Sequence, residues 1–156
     1  MILKGFPNLH LKNAKTGKLL THLLDTDICI YTMKGRNRAL AQRLDELSGK
    51  NAISDLTIFE LYSGADRYQS PISRTNIIDE FANRMTVLPF DSNAARIAGP
   101  LRYKLRSSGQ MIGAYDLLIA ATALSRNLTL MTNNVREYNR VDGLKVEKWE
   151  IAPRTL

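Results

Sequence analysis

Short apolar runs alternate with longer stretches of helical periodicity along this chain. Residues 20–24 read as a short buried strand that stops at Asp25. Residues 28–33 read as a short helix ended by Gly35, and residues 38–47 as a helix with Leu40, Leu44 and Leu47 on one face and Gly49 as its C-cap. Ala52 and Ile53 form a second strand. Residues 57–67 follow as a helix in which Ile58, Leu61 and Tyr62 share a face. Ser70-Pro71 opens another helix, with Ile77, Ile78, Phe81 and Met85 as its stripe. Residues 86–90 are a third strand, and Asp91 and Ser92 are cap candidates for the basic helix beyond it. Gly99-Pro100 is expected to kink or restart that helix. Residues 113–125 are apolar nearly all round, so this helix is expected to be buried. A strand at 128–131, a helical turn at 135–138 and a strand at 144–146 complete the pattern, with no internal repeat.

Strand and helix in alternation predict an α/β domain with a short, mainly parallel sheet and helices on both faces. In such sheets sites lie beyond the carboxyl ends of strands, at a topological switch point. Asp25 ends the first strand, and Asn133 and Asn134 follow the fourth. Residues 1–19 have neither period and contain Gly5, Pro7 and Gly17, so they are expected to be a poorly ordered extension. The domain then spans 20–150, with a tail at 151–156.

Composition narrows the class. With 44% apolar and 24% charged residues the chain is globular, not disordered. Its longest apolar segment, 117–124, is too short to span a bilayer, and the N-terminus lacks the apolar core of a signal peptide, which predicts a cytoplasmic protein. Cys29 is the single cysteine and lies in an apolar run, which excludes an internal disulfide and fits a core position. The net charge is +7. Lys4, Lys12, Lys15 and Lys18 lie in the first 19 residues, which hold no acid. Between Asp91 and Asp116 there is no acid, while Arg96, Arg102, Lys104 and Arg106 are present. That segment is a candidate for contact with a polyanion, or a solvated helix face.

The candidate chemistry lies in the carboxylates. There is no phosphate-binding loop, dinucleotide fingerprint or H-E-x-x-H helix, and His10 and His22 have no ligand spacing. Asp25, Glu60 and Asp116 instead sit in apolar surroundings, where a lone charge is costly. Gathered carboxylates repel one another and hold protons more tightly. A divalent cation resolves the conflict and suits phosphodiester chemistry. Each acid also has a structural reading: Asp25 as a helix cap, Glu60 as the acid of a Thr57-x-x-Glu60 capping box, and Asp116 as an acid meeting a helix dipole.

The order of motifs resembles the PIN-domain family, and within it the VapC-type toxins of bacterial toxin–antitoxin pairs. Residues 23–31, Leu-Leu-Asp-Thr-Asp-Ile-Cys-Ile-Tyr, resemble the opening motif, and Ile53-Ser54-Asp55-Leu56-Thr57-Ile58-Phe59-Glu60-Leu61 the second. Val87-Leu88-Pro89-Phe90-Asp91 with Ala94-Ala95 matches the family's middle strand and helix start. Ile112-Gly113-Ala114-Tyr115-Asp116-Leu117-Leu118-Ile119-Ala120 resembles the third motif, and Thr132-Asn133-Asn134 with Arg136-Glu137-Tyr138 and the run 140–144 the closing block. The resemblance implies a three-layer α/β/α fold and RNA cleavage with Mg²⁺ or Mn²⁺. It also implies a homodimer and a VapB-type antitoxin, with which the chain would form a hetero-oligomer. It makes Asp25, Glu60 and Asp116 the catalytic and metal-binding acids. Asp27 stands where Asn is usual, and Asn134 where many relatives carry a fourth Asp, so Asp27 and Glu137 are candidate additional ligands. Thr132 and Asn134 are candidates to hold phosphate or water. Arg96, Arg102, Lys104 and Arg106 are candidates to contact RNA, with tRNA the first substrate expected. A non-catalytic RNA-binding or scaffold protein on this fold, and a DNA-directed nuclease, are the alternatives.

Overall fold

The computed structural model describes residues 11–65 and 71–149. Five strands form one sheet in the order β3-β2-β1-β4-β5. They are β1 His22–Leu24, β2 Asn51–Ser54, β3 Thr86–Leu88, β4 Thr129–Thr132 and β5 Val146–Lys148. Every pairing is parallel, with His22 opposite Asn51 on one side and Thr129 on the other. Parallel strands need crossover connections, and the amphipathic segments supply them.

The pleat sorts the strand residues. Leu23, Ala52, Leu88 and Leu130 pack on one face, with Ala98 and Leu105 of α5 (Ser92–Ser107) and Leu117, Ile119 and Ala120 of α6 (Ala114–Ser125). Leu24, Ile53 and Met131 face the other side. There they meet Ile28 and Cys29 of α1 (Thr26–Lys34), Leu40 of α2 (Arg38–Glu46), Leu61 of α3 (Asp55–Ala65) and Ile78 of α4 (Pro71–Arg84). Two cores on two sides of one sheet are the expected three-layer α/β/α arrangement. Cys29 is fully buried there, a small core hydrophobe whose thiol burial pushes well up.

Local chemistry sets the helix ends. Gly35 ends α1 in the left-handed region at φ 61° and donates its N–H to the Thr32 carbonyl. Asp91 caps α5 and accepts from the Asn93 and Ala94 amides. The short α7, Val135–Tyr138, follows β4 directly.

Several expectations change. Gly99-Pro100 neither ends nor restarts α5, which runs unbroken with Pro100 inside. Both residues are exposed, so water can solvate the carbonyl that proline leaves unpaired. Gly49 is not the C-cap of α2; Leu47 is, and Gly49 lies in the turn beyond it at φ 76°. The stretch 11–19 is an ordered turn hairpin. Lys12 bridges Leu19, Leu11 packs on the core, and the buried Asn13 donates to the Gly49 carbonyl at 3.1 Å. Residues 1–10, His10 among them, the end of the expected 57–67 helix, and the tail 151–156 lie outside the described residues. No helix among the described residues is long and apolar enough to cross a membrane.

Candidate active site

The chain passes from β1 to β2 on one side and later returns to place β4 on the other. The carboxyl ends of β1 and β4 therefore frame the switch point of the sheet. Asp25 is the first residue beyond β1 and the N-cap of α1. Its backbone N–H donates to the Met131 carbonyl at 3.0 Å, which locks it to β4.

Asp25 is buried, 5% exposed, and both oxygens of its carboxylate accept hydrogen bonds. Oδ1 accepts from the Thr26 amide at 2.9 Å and the Tyr138 hydroxyl at 3.1 Å, and Oδ2 from the Thr132 hydroxyl at 2.7 Å. The capping role and the site role of Asp25 thus coexist. Burial, then the charge of Asp27, raises its pKa to about 6, although the three hydrogen bonds pull the other way.

Asp116 lies in the first turn of α6, across the site from Asp25. Its Oδ1 accepts from the same Tyr138 hydroxyl at 3.2 Å. Burial first, then Asp25, then a hydrogen bond shared with Glu137, push its pKa to about 6. One hydroxyl thus faces two carboxyl oxygens with a single proton to donate. Gly113 makes room for this geometry, since a Cβ there would lie 2.7 Å from Asp116 Oδ2.

Asp27 belongs to the cluster, with Oδ1 held by the Ile28 amide at 2.6 Å and Oδ2 by the Asn133 amide at 3.0 Å. Burial raises its pKa first, with the charge of Asp116 a lesser cause. Glu60 Oε2 accepts from the Thr26 hydroxyl, which places it one residue from Asp25. It forms no capping box. Thr57 lies inside α3, and its amide donates to Ser54 Oγ at 3.0 Å, so Ser54 caps that helix.

Thr132 does not offer its hydroxyl to a phosphate. It is fully buried, donates to Asp25 and accepts from the Asn134 amide at 3.0 Å, so it positions Asp25. Asn134 is exposed at the start of α7. In α5, Lys104 pairs with Asp142 and Arg96 with Asn93, while Arg102 and Arg106 are exposed. His22 is a structural residue whose Nε2 meets Glu147 at 2.9 Å, beside Arg43.

Sequence reasoning missed Tyr138 as a site residue. It is fully buried, and only the fold brings α7 beneath Asp25 and Asp116. Its place in the closing motif, Arg136-Glu137-Tyr138, was the signal it left.

The donors around the cluster are carboxylate oxygens, hard ligands of the kind Mg²⁺ and Mn²⁺ take. The raised pKa values of Asp25 and Asp116 register repulsion and burial that a cation would relieve. The buried side-chain amide of Asn133, next to Asp27, has no hydrogen-bond partner at either polar atom, a further place for an ion's water shell. Among the described residues no three His, Cys, Asp or Glu side chains are grouped closely enough to hold a metal ion by themselves. An ion here would be held by one or two of these carboxylates and would keep waters and take substrate oxygens.

The fold and site define a class: a parallel α/β protein with a carboxylate centre at its switch point. The PIN domain family matches residues 22–144. The tRNA(fMet)-specific endonuclease VapC of Shigella flexneri is 40% identical over 131 residues, covering 84% of this chain and 99% of that protein. Ribonuclease VapC2 of Haemophilus influenzae is 37% identical over the same shares. Among solved structures, DNA-bound VapBC from Salmonella typhimurium matches with a TM-score of 0.81 at 35% identity, covering 85% of this chain and 100% of that one. The chain belongs to the PIN-domain family.

Proposed function

We propose that the chain is a metal-dependent endoribonuclease, the toxin of a VapBC-type toxin–antitoxin pair. The observation that carries this reading is the convergence of Asp25 and Asp116 on one Tyr138 hydroxyl at the switch point of the sheet. Asp25 and Asp116 would hold Mg²⁺ or Mn²⁺, directly or through water, with Asp27 and Glu137 beside them. When bound, the cation lowers the pKa of water and offsets charge on the scissile phosphate. Thr132, Thr26 and Tyr138 fix the Asp25 carboxylate in place. Glu60, anchored by the Thr26 hydroxyl, would accept a proton from the attacking water. Arg102 and Arg106, exposed on α5, would be the candidates to meet the RNA backbone.

The Shigella flexneri and Salmonella typhimurium relatives are named as endonucleases specific for tRNA(fMet), which makes initiator tRNA the first substrate to test. Two solved relatives are VapBC complexes bound to DNA, which supports a VapB-type antitoxin as partner; the chain itself would form a homodimer. The test is incubation of the purified chain with end-labelled tRNA and with DNA, in Mg²⁺, in Mn²⁺ and in excess EDTA. The reading expects cuts in tRNA that need the metal. Undiminished cutting in EDTA overturns the metal, and cutting of DNA alone overturns the ribonuclease.

A further inference from the structure

Two aromatic rings stand in solvent beside the acids. Phe59 is 47% and Tyr115 is 44% exposed, yet the two touch, with ring centroids 5.2 Å apart and planes inclined at 55°. Phe59 immediately precedes Glu60 on α3, and Tyr115 immediately precedes Asp116 on α6. Consecutive Cα atoms are about 3.8 Å apart, so the pair borders the acid cluster. Neither ring is needed to hold the acids, whose positions depend on Thr26, Thr132, Tyr138 and backbone amides.

A single exposed apolar side chain is ordinary. Two adjoining rings flanking a phosphodiester site are a surface on which a flat, unpaired base stacks. The alternative occupant, a second copy of the chain, fits less well. A subunit seated on rings this close to Glu60 and Asp116 would also close over the acids. A nucleotide brings its phosphate to the acids and its base to the rings together, and the chain's net charge of +7 favours that polyanion.

We propose that Phe59 and Tyr115 form a stacking site for an unpaired base adjoining the phosphodiester at Asp25 and Asp116. The proposal rests on the ribonuclease reading and names how that site selects its substrate. Stacking needs a base out of its helix, so the site selects loops and single strands over duplex stems. It is tolerant of base identity, because every base has a π face.

The test uses a short single-stranded oligoribonucleotide carrying a fluorescent adenine analogue, titrated into full-length Asp25→Asn protein so that binding is read without cleavage. Stacking predicts quenching of the analogue on binding. Phe59→Leu and Tyr115→Leu, added singly, are expected to weaken binding roughly ten-fold and lift the quenching, while Tyr115→Phe keeps both. Light scattering on the same proteins is expected to show one unchanged mass. Three results would overturn the proposal: no quenching at any position of the analogue, Leu variants that bind and quench like the parent, or Leu variants whose mass changes, which makes the rings a subunit contact. A chain with Asp25 intact that cuts no RNA would instead refute the underlying ribonuclease reading, and the binding assay would still decide the stacking.

Discussion

At the scale of single residues, the site is a set of acids held in place at the expense of their preferred ionisation. Asp25 and Asp116 move from the usual 3.8 to about 6 on folding. The folded protein therefore holds protons that the unfolded chain has released, and stability falls as pH rises from about 4 to about 6. Thermal melts in EDTA across that range are expected to show this decline, and Asp25→Asn or Asp116→Asn to flatten it. Tyr138→Phe separates position from packing. It keeps the buried ring but removes a hydrogen bond that lowers both carboxyl pKa values, so the acid limb of the cleavage profile is expected to move to higher pH. Gly113→Ala would push a methyl group into Asp116 Oδ2, and is expected to cut activity while leaving the melting temperature nearly unchanged. The acids were legible in the sequence because charge inside apolar runs is conspicuous. Tyr138 was not, because its partners are 113 and 22 residues away. Thr132 was visible, but its direction was not: only the folded backbone shows that its hydroxyl is spent on Asp25.

At the scale of elements, hydrophobic period located the strands and helices, since each buries a face that must be apolar. It failed where two local rules competed with packing. In α5 the break expected at Gly99-Pro100 gives way to the packing of Ala94, Ala98 and Leu105 on the opposite face. The Thr57–Glu60 capping box gives way to Ser54, because α3 starts two residues before Thr57. Asp91 has two duties, capping α5 and pairing at 2.9 Å with the buried Arg126 guanidinium. Asp91→Asn keeps a capping acceptor, whereas Asp91→Ala also loses the cap, about 1 kcal/mol. Denaturant unfolding is expected to rank Ala below Asn below the parent; equal stability of the two variants would show that the cap contributes nothing. The hairpin at 11–19 was illegible because its order comes from turn backbone bonds, side-chain bonds to the 48–49 turn and to Asn83, and one apolar contact, not from a period. Deletion through Lys18 is expected to lower the melting temperature and leave cleavage by the folded protein intact.

At the scale of the whole molecule, sheet order converts separate motifs into one site. Asp25 lies at the end of β1 and Glu60, Asp116 and Tyr138 on α3, α6 and α7, and the order β3-β2-β1-β4-β5 brings them together at the carboxyl end of the sheet. The fold class was legible because alternating strands and helices admit few arrangements, and the motif order matched a known family. The central claim is that these acids cleave RNA with a bound cation. It is tested most directly by the initial rate of tRNA cleavage in Mg²⁺ by the parent and by Asp116→Asn, with melting curves on the same preparations. The account predicts a loss of about a hundred-fold or more with an equal or higher melting temperature. Near-normal cleavage by a folded Asp116→Asn protein would contradict it.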